Sequence, residues 1–247
     1  YYNMPEGIYV GKVTKDSPAG KAGIKTGDII VKFNGNETTT MDGLKDRLGR
    51  CKGGKCMMTY EAAKQLFDGA GLPLTESHFA QFQCYLAELT ETNRHMNLTA
   101  ITEPAEAWEK HFLDCAILLQ KVQLPLGATC IDVGTGAGFP GMVLALLRPD
   151  LQVTLLDSLQ KRIGFLEQTA AKLGLANVRC IHARAEDGAK LPELREQFDM
   201  ATARAVAAMP VLTEYCLPFV KQGGVFAAMK GLSLIHISEP TRPEPIS

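Results

Sequence analysis

Apolar runs of strand length alternate with glycine turns and helical patterns through the second half of the chain. Residues 129–133 form an apolar run interrupted by one acid, and residues 134–141 contain four glycines. The continuously apolar stretch 142–147 follows, and then a second apolar run over 151–157 that ends in an acid. A buried strand, a glycine turn, a buried helix and another buried strand predict a βαβ unit.

The same alternation extends to residue 230. Three further strand patterns, at 177–184, 198–204 and 223–230, are separated by helical patterns. Residues 58–125 carry helical periodicity instead, with apolar positions three and four apart. The pattern therefore predicts an α/β fold, with an N-terminal helical cap (58–125) on a doubly wound, parallel, Rossmann-like sheet (126–231). Ligands of such sheets bind at the carboxyl ends of the strands.

The glycine turn is compatible with two classes of cofactor. Residues 136–141 match the G-x-G-x-x-G pattern of NAD enzymes, in which the pyrophosphate binds free amides at the helix start. Pro140 stands at that position and has no N–H. Residues 134–138 match instead the G-x-G-x-G turn of methyltransferases that use S-adenosylmethionine, which carries no phosphate. The methyltransferase interpretation is favoured, with an NAD-linked oxidoreductase as an alternative.

Three residues of this unit are candidates for cofactor binding. Gly134 and Gly136 lie where a ligand would rest against bare backbone, since a Cβ atom would collide with it. Asp157 ends the next strand and is placed to accept hydrogen bonds from both hydroxyls of a ribose.

Composition and charge limit the range of functions without selecting one. A content of 46% hydrophobic and 21% charged residues is typical of an ordinary soluble globular protein. We expect the protein to be cytoplasmic and monomeric. No apolar run is long enough to span a bilayer, so no membrane is expected. The seven scattered cysteines suggest reduced, buried thiols and predict no metal site. Residues 58–231 carry 15 basic and 19 acidic side chains, so RNA binding would need a local basic patch.

Residues 1–57 differ from the remainder and carry ten basic and six acidic side chains. The segments at 6–9, 17–24 and 27–30 resemble a PDZ domain of bacterial trypsin-like stress proteases. That resemblance implies a module that binds peptide carboxyl termini, which gives a second alternative function. A good closing strand is missing after residue 55, so we expect a partial PDZ-like fragment followed by a new domain at Met58.

Six motifs of residues 58–231 resemble the bacterial ribosomal RNA small-subunit methyltransferase G family. These guanine-N7 methyltransferases are also known as the glucose-inhibited division protein B type. The motifs lie at 97–101, 110–114, 132–141, 155–158, 183–186 and 202–206. The resemblance implies S-adenosylmethionine as cofactor and small-subunit ribosomal RNA, or a ribosomal particle, as partner. It also implies that Gly134, Phe139, Ala185, Glu186 and Arg204 contact the cofactor.

The chemistry of guanine N7 requires no catalytic side chain. Its free lone pair can attack a sulfonium methyl group without a general base, so positioning and electrostatics suffice. We place Glu186 near the adenine edge of the cofactor. Arg204 either orients the guanine or a phosphate, or forms an ion pair with Glu186. His111 and Asp114, three apart on one helix, form either a structural pair or a substrate contact.

Residues 232–247 depart from the family pattern. Three prolines within 240–245 cannot continue a βαβ pattern, and the segment resembles translated adapter sequence. We therefore expect a non-native tail, a sheet that lacks its last strands and a fifth strand left as an exposed edge. The whole chain is then interpreted as a chimera, with its function in residues 58–231.

Overall fold

The computed structural model of this 247-residue chain describes residues 6–14, 17–21, 23–33, 36–49, 51–52, 55–56, 58–101, 103–204, 208–230 and 234–238. The chain divides into two compact units, Tyr1–Met57 and Met58–Ser247. Among the described residues, no helix is both long and apolar enough to cross a membrane.

The first unit consists of short elements. They are β1 (Ile8–Tyr9), α1 (Pro18–Lys21), β2 (Ile29–Ile30), β3 (Lys32–Phe33), β4 (Asn36–Glu37), α2 (Met41–Gly49), β5 (Cys51–Lys52) and β6 (Lys55–Cys56). The strands form three antiparallel pairs, β1 with β2, β3 with β4 and β5 with β6. The sequence predicts no good closing strand after residue 55. In the structure, this region contains the short antiparallel pair of β5 and β6.

The second unit begins with a helical layer. Its helices are α3 (Tyr60–Gly69), α4 (Glu76–Met96), α5 (Pro104–Ala107) and α6 (Asp114–Lys121), with a π-helical segment, Trp108–Leu113, between α5 and α6. Thr59 and Thr75 cap the first two helices, because each side-chain oxygen accepts an amide hydrogen bond three residues on. Buried aromatic rings from these helices pack together; Phe82 and Phe112 stack with centroids 4.6 Å apart.

The remaining elements form the predicted sheet and its flanking helices. They are β7 (Thr129–Val133), α7 (Gly141–Leu147), β8 (Gln152–Asp157), α8 (Gln160–Leu173), β9 (Val178–His182), α9 (Ala185–Gly188), β10 (Phe198–Arg204), α10 (Met209–Cys216), β11 (Val220–Lys230) and β12 (Leu234–Ser238). The strand order is β12-β11-β10-β7-β8-β9, and β7 to β11 are parallel. The doubly wound fold is thus confirmed, and β7 and β10 lie side by side with their carboxyl ends at one edge.

The boundary between the last helix and the fifth strand differs from the sequence-based expectation. Helix α10 stops at Cys216, because a 3₁₀ turn containing Pro218 follows it. Strand β11 begins at Val220, before the predicted start at 223.

The expectation that the fifth strand is an exposed edge is wrong. Strand β12 pairs antiparallel with β11, from Lys230 opposite Leu234 to Phe226 opposite Ser238. The segment 234–238 has the β-branched, alternating composition that suits a strand, and the prolines that suggested a break come after it. Those prolines, at 240, 243 and 245, lie outside the described residues.

Candidate functional site

The turn after β7 exposes backbone because its glycines adopt the left-handed conformation. Gly134 has φ +68°, Gly136 has φ +61° and Gly138 has φ +101°. The amide of Gly134 donates to the carbonyl of Leu156, 2.8 Å away, which ties the turn to β8. A side chain at these positions would be strained, so the turn keeps a wall of bare backbone.

Asp132 closes this turn from the inside. Its Oδ2 accepts hydrogen bonds from Thr135 Oγ1 at 2.7 Å and from the amide of Gly141 at 2.8 Å. The side chain is 1% exposed, and burial raises the pKa of its carboxyl group to about 6, against the opposing effect of those hydrogen bonds. Because Pro140 has no N–H and Gly141 donates to Asp132, the start of α7 has no free amide there for a phosphate.

Asp157, at the end of β8, joins the glycine turn to the start of α8. Its Oδ2 accepts the amide of Gly136 at 2.9 Å, and its Oδ1 accepts the amide of Leu159 at 2.9 Å. Arg162 lies against it, with Nη1 3.3 Å from Oδ2. The carboxylate is buried and fixed in orientation, and its binding of ribose hydroxyls stays a prediction.

Two cavities meet at the carboxyl ends of β7 and β8. The larger has a volume of about 410 Å³ and the smaller about 270 Å³, and they share Gly134, Asp157 and Ser158. The sequence-predicted site residues all line one or both cavities: Gly134, Gly136, Phe139, Asp157, Ala185, Glu186 and Arg204. The fold therefore brings them together, while their contacts with a cofactor stay predictions.

Arg204, the last residue of β10, lies on one wall of the larger cavity. Its Nη1 donates to the carbonyl of Lys110 at 3.1 Å and lies 3.8 Å from a carboxylate oxygen of Asp114. Its guanidinium also lies over the ring of Phe139, 4.9 Å from the centroid. Arg204 thus contacts the π-helical segment, and the ion pair considered with Glu186 is wrong.

Phe139 and His111 form an aromatic wall beside Arg204. The two rings stack with centroids 4.5 Å apart and an interplanar angle of 19°. Tyr85 stacks on Phe139 at 5.2 Å, and its hydroxyl donates to the carbonyl of Ala137. His111 Nδ1 lies 3.1 Å from Nη2 of Arg204, so His111 contacts Arg204, whose Nη1 is the atom near Asp114.

His111 is held in its neutral form. Its side chain is 6% exposed, and burial and the positive charge of Arg204 lower its pKa to about 4, although the carbonyl of Lys110 opposes the change. Sequence alone left open whether His111 is structural or faces a ligand. The fold places it in the wall of the larger cavity.

The neutral His111 predicts a pH dependence of stability. In the unfolded chain its pKa is near the ordinary value of 6.5, so protons bind the unfolded state as the pH falls from about 6.5 to 4. The wild-type free energy of unfolding should therefore fall over that range by on the order of 2 kcal/mol more than that of His111→Gln. Urea unfolding at pH 7 and pH 4.5 tests this.

The comparison with His111→Gln cancels the opposite effect of Asp132. The pKa of Asp132 is raised in the folded state, so its contribution to stability grows as the pH falls, in both proteins alike. Equal pH slopes for the wild type and the variant would contradict the assignment of a neutral, buried His111.

The smaller cavity is bounded by the segment after β9. Ala185 and Glu186 begin α9 there, and Tyr215 of α10 completes the wall. Glu186 and Tyr215 line the same cavity, and the negative charge of Glu186 raises the pKa of the Tyr215 hydroxyl. An acid beside a phenol at the edge of a narrow cavity can accept hydrogen bonds from an amino group.

Sequence-based reasoning missed several residues that line or support the site. Asp132, Thr99, Arg162 and Tyr215 were not among the candidates, and His111 was left undecided. Three of them, Thr99, His111 and Asp132, lie inside motifs that carried the family resemblance, which was the available signal. The motif at 202–206 extends beyond the described residues after Arg204.

Comparison with known proteins finds a match in each part of the chain. The family model described as rRNA small subunit methyltransferase G matches residues 78–239, and a PDZ domain model matches residues 9–62. The first match extends across β12, into the segment expected to be a non-native tail.

Similar proteins come from several bacteria, and each is named ribosomal RNA small subunit methyltransferase G. The protein of Clostridium perfringens is 51% identical over 71% of this chain and 73% of its own length. That of Clostridium beijerinckii is 48% identical over 72% and 74%, and that of Desulforamulus reducens is 47% identical over 69% and 70%. Through its second unit, the chain belongs to the rRNA small subunit methyltransferase G family.

Proposed function

We propose that this chain transfers a methyl group from S-adenosylmethionine to N7 of a guanine in small-subunit ribosomal RNA. The observation that carries the proposal is the pair of cavities that meet at Gly134 and Asp157, in a chain of the methyltransferase G family. Ribosomal RNA as the partner would place the reaction in the cytoplasm.

The residues present fit the cofactor. The bare backbone of Gly134 and Gly136 can lie against its nucleoside, the Asp157 carboxylate can take ribose hydroxyls, and Glu186 can take the adenine amine. The larger cavity is walled by Phe139 and Arg204 and has room for the amino-acid part. When bound, S-adenosylmethionine supplies an electrophilic methyl group on a sulfonium centre.

The chain's own residues act by positioning and by excluding water. The buried stack of Tyr85, Phe139 and His111 gives the larger cavity a rigid, apolar wall. Arg204 is fixed by three partners on the π-helical segment and the following helix, so its charge stays at the cavity. A guanine N7 lone pair needs no deprotonation, and a site built this way needs no general base.

The hydrogen bonding at the start of α7 argues against an NAD-linked reaction. The amides of that first turn are engaged: Gly141 donates to Asp132, while Met142 and Val143 donate to backbone carbonyls. A dinucleotide cofactor needs such amides free for its pyrophosphate. S-adenosylmethionine has no phosphate and makes no such demand.

Thermal unfolding with added ligand tests the cofactor assignment. S-adenosylhomocysteine at about 100 times its Kd should stabilise the folded protein by about 2.7 kcal/mol. For a unit of this size, that raises Tm by roughly 5–10 °C. NADH at the same concentration should leave Tm unchanged. A shift with NADH and none with S-adenosylhomocysteine would contradict the assignment.

A further inference from the structure

The backbone of Thr99 is held by hydrogen bonds at the wall of the larger cavity. Helix α4 ends at Met96, and the next residue, Asn97, adopts a left-handed φ of 50° and turns the chain back. The Asn93 side chain then holds Thr99 at both backbone groups: Nδ2 donates to the Thr99 carbonyl and Oδ1 accepts the Thr99 amide, each at 2.9 Å. Thr99 is half-buried and lines the cavity in a fixed position.

A chain of hydrogen bonds from Arg204 sets the role of the Thr99 oxygen. The guanidinium of Arg204 can only donate, so Nδ1 of His111, 3.1 Å from its Nη2, is the acceptor. A neutral imidazole that accepts at Nδ1 carries its hydrogen at Nε2. Nε2 lies 2.9 Å from Thr99 Oγ1, and the hydroxyl oxygen accepts that hydrogen.

A second donor fills the other lone pair of the same oxygen. The amide of Ile101 donates to Thr99 Oγ1 at 3.1 Å. A hydroxyl has two acceptor lone pairs and one hydrogen, so with both lone pairs used only the hydrogen remains. No described residue accepts it. The hydroxyl on the cavity wall is therefore restricted to donating.

We propose that Thr99 is a ligand-binding residue whose hydroxyl donates a hydrogen bond to an oxygen atom bound in the larger cavity. The inference rests on the proposed function, which offers two such oxygens: the carboxylate of the cofactor's amino-acid part and the C6 carbonyl of guanine. In either case the hydroxyl favours an oxygen atom over an amine at this position. An amine would place a second hydrogen-bond donor against the Thr99 donor, and no hydrogen bond could form. If the oxygen is the C6 carbonyl of guanine, adenine, which has an amine at C6, would be rejected.

Isothermal titration calorimetry with S-adenosylhomocysteine and a methyl-transfer assay on small-subunit RNA distinguish the two oxygens. Thr99→Val should lose about 10-fold or more in one of these measurements, because it replaces the hydroxyl with a methyl group of similar size and so removes the donor, together with the oxygen that accepts from His111 and Ile101. A loss in S-adenosylhomocysteine affinity assigns the carboxylate. Unchanged affinity, with a loss in kcat/KM for RNA, assigns the guanine carbonyl.

Matched variants separate the hydroxyl from packing. Thr99→Ser keeps the hydroxyl and should stay within about 3-fold of the wild type in both measurements. Thr90→Val, on α4, removes a hydroxyl that bonds only the Leu86 carbonyl of its own helix and should change neither. Equal behaviour of Thr99→Val and the wild type, or equal losses in Thr99→Val and Thr99→Ser, would overturn the inference.

The tautomer of His111 gives a test that needs no variant. In nitrogen-15 NMR spectra of the wild-type chain, Nε2 should be the protonated ring nitrogen and Nδ1 the unprotonated one. A hydrogen on Nδ1 would break the chain of hydrogen bonds and overturn the inference. If wild-type protein fails to bind S-adenosylhomocysteine, the proposed function falls with it. If the wild type binds and Thr99→Val behaves like it in both assays, only the inference about Thr99 falls.

Discussion

Gly134→Asp is expected to weaken S-adenosylhomocysteine binding by about 100-fold or more. Gly134 lies where the two cavities meet, and its φ of +68° suits glycine. The new carboxylate would stand in the binding cleft with Asp157, so burial of a second negative charge and loss of space both act against the ligand. Together these effects cost about 3 kcal/mol or more, measured as the change in Kd by calorimetry.

Gly127→Asp is the matched control for that experiment. Gly127 has φ +73°, nearly the conformation of Gly134, but it is exposed and a Cβ there would meet no atom within 4 Å. It therefore carries the same backbone strain without approaching either cavity. Its Kd should equal that of the wild type. Equal binding by Gly134→Asp and Gly127→Asp would place the ligand elsewhere.

Gly138→Ala is expected to destabilise the second unit by about 3–5 kcal/mol. A Cβ at this position would collide with the hydroxyl of Tyr85, and would lie 2.7 Å from Cγ of Met142 and 2.8 Å from Cδ2 of Leu166. The φ of +101° adds backbone strain. Overpacking of a fixed core and strain act together, and urea unfolding measures their sum.

Gly164→Ala provides the contrasting result. Gly164 lies inside α8, and a Cβ there would meet no atom within 4 Å. Alanine should therefore stabilise the protein by about 0.5–1 kcal/mol through helix propensity alone. If Gly138→Ala is as stable as the wild type, the close packing of the turn against Tyr85 is wrong.

The parts of the site that sequence predicted are local. The strand, the glycine turn and the apolar helix occur within residues 129–147, and their order specifies a βαβ unit without long-range information. Parallel strands then bring the ends of β7, β8 and β10 to one edge, which explains why Gly134, Asp157 and Arg204 meet. The rule that ligands bind at the carboxyl ends of parallel strands was sufficient to place these three residues together.

The contacts that sequence could not predict join residues far apart in the chain. Arg204 and His111 are separated by 93 positions, and their contact depends on how the helical layer packs on the sheet. The periodicity of the sequence gives no information on that packing, so the only protein partner considered for Arg204 was Glu186, as an alternative to a guanine or a phosphate. The role of Asp132 was missed for a related reason, since an acid near the end of a buried strand can face either the ligand or the turn that follows the strand.

The most direct test of the account is the position of the transferred methyl group. The full chain, incubated with labelled S-adenosylmethionine and small-subunit ribosomal RNA, should yield 7-methylguanosine after nuclease digestion and mass spectrometry. Gly134→Asp should yield none, and Gly127→Asp should match the wild type. Label recovered on an exocyclic amine or a ribose, or no label at all from a chain that binds S-adenosylhomocysteine, would contradict the account.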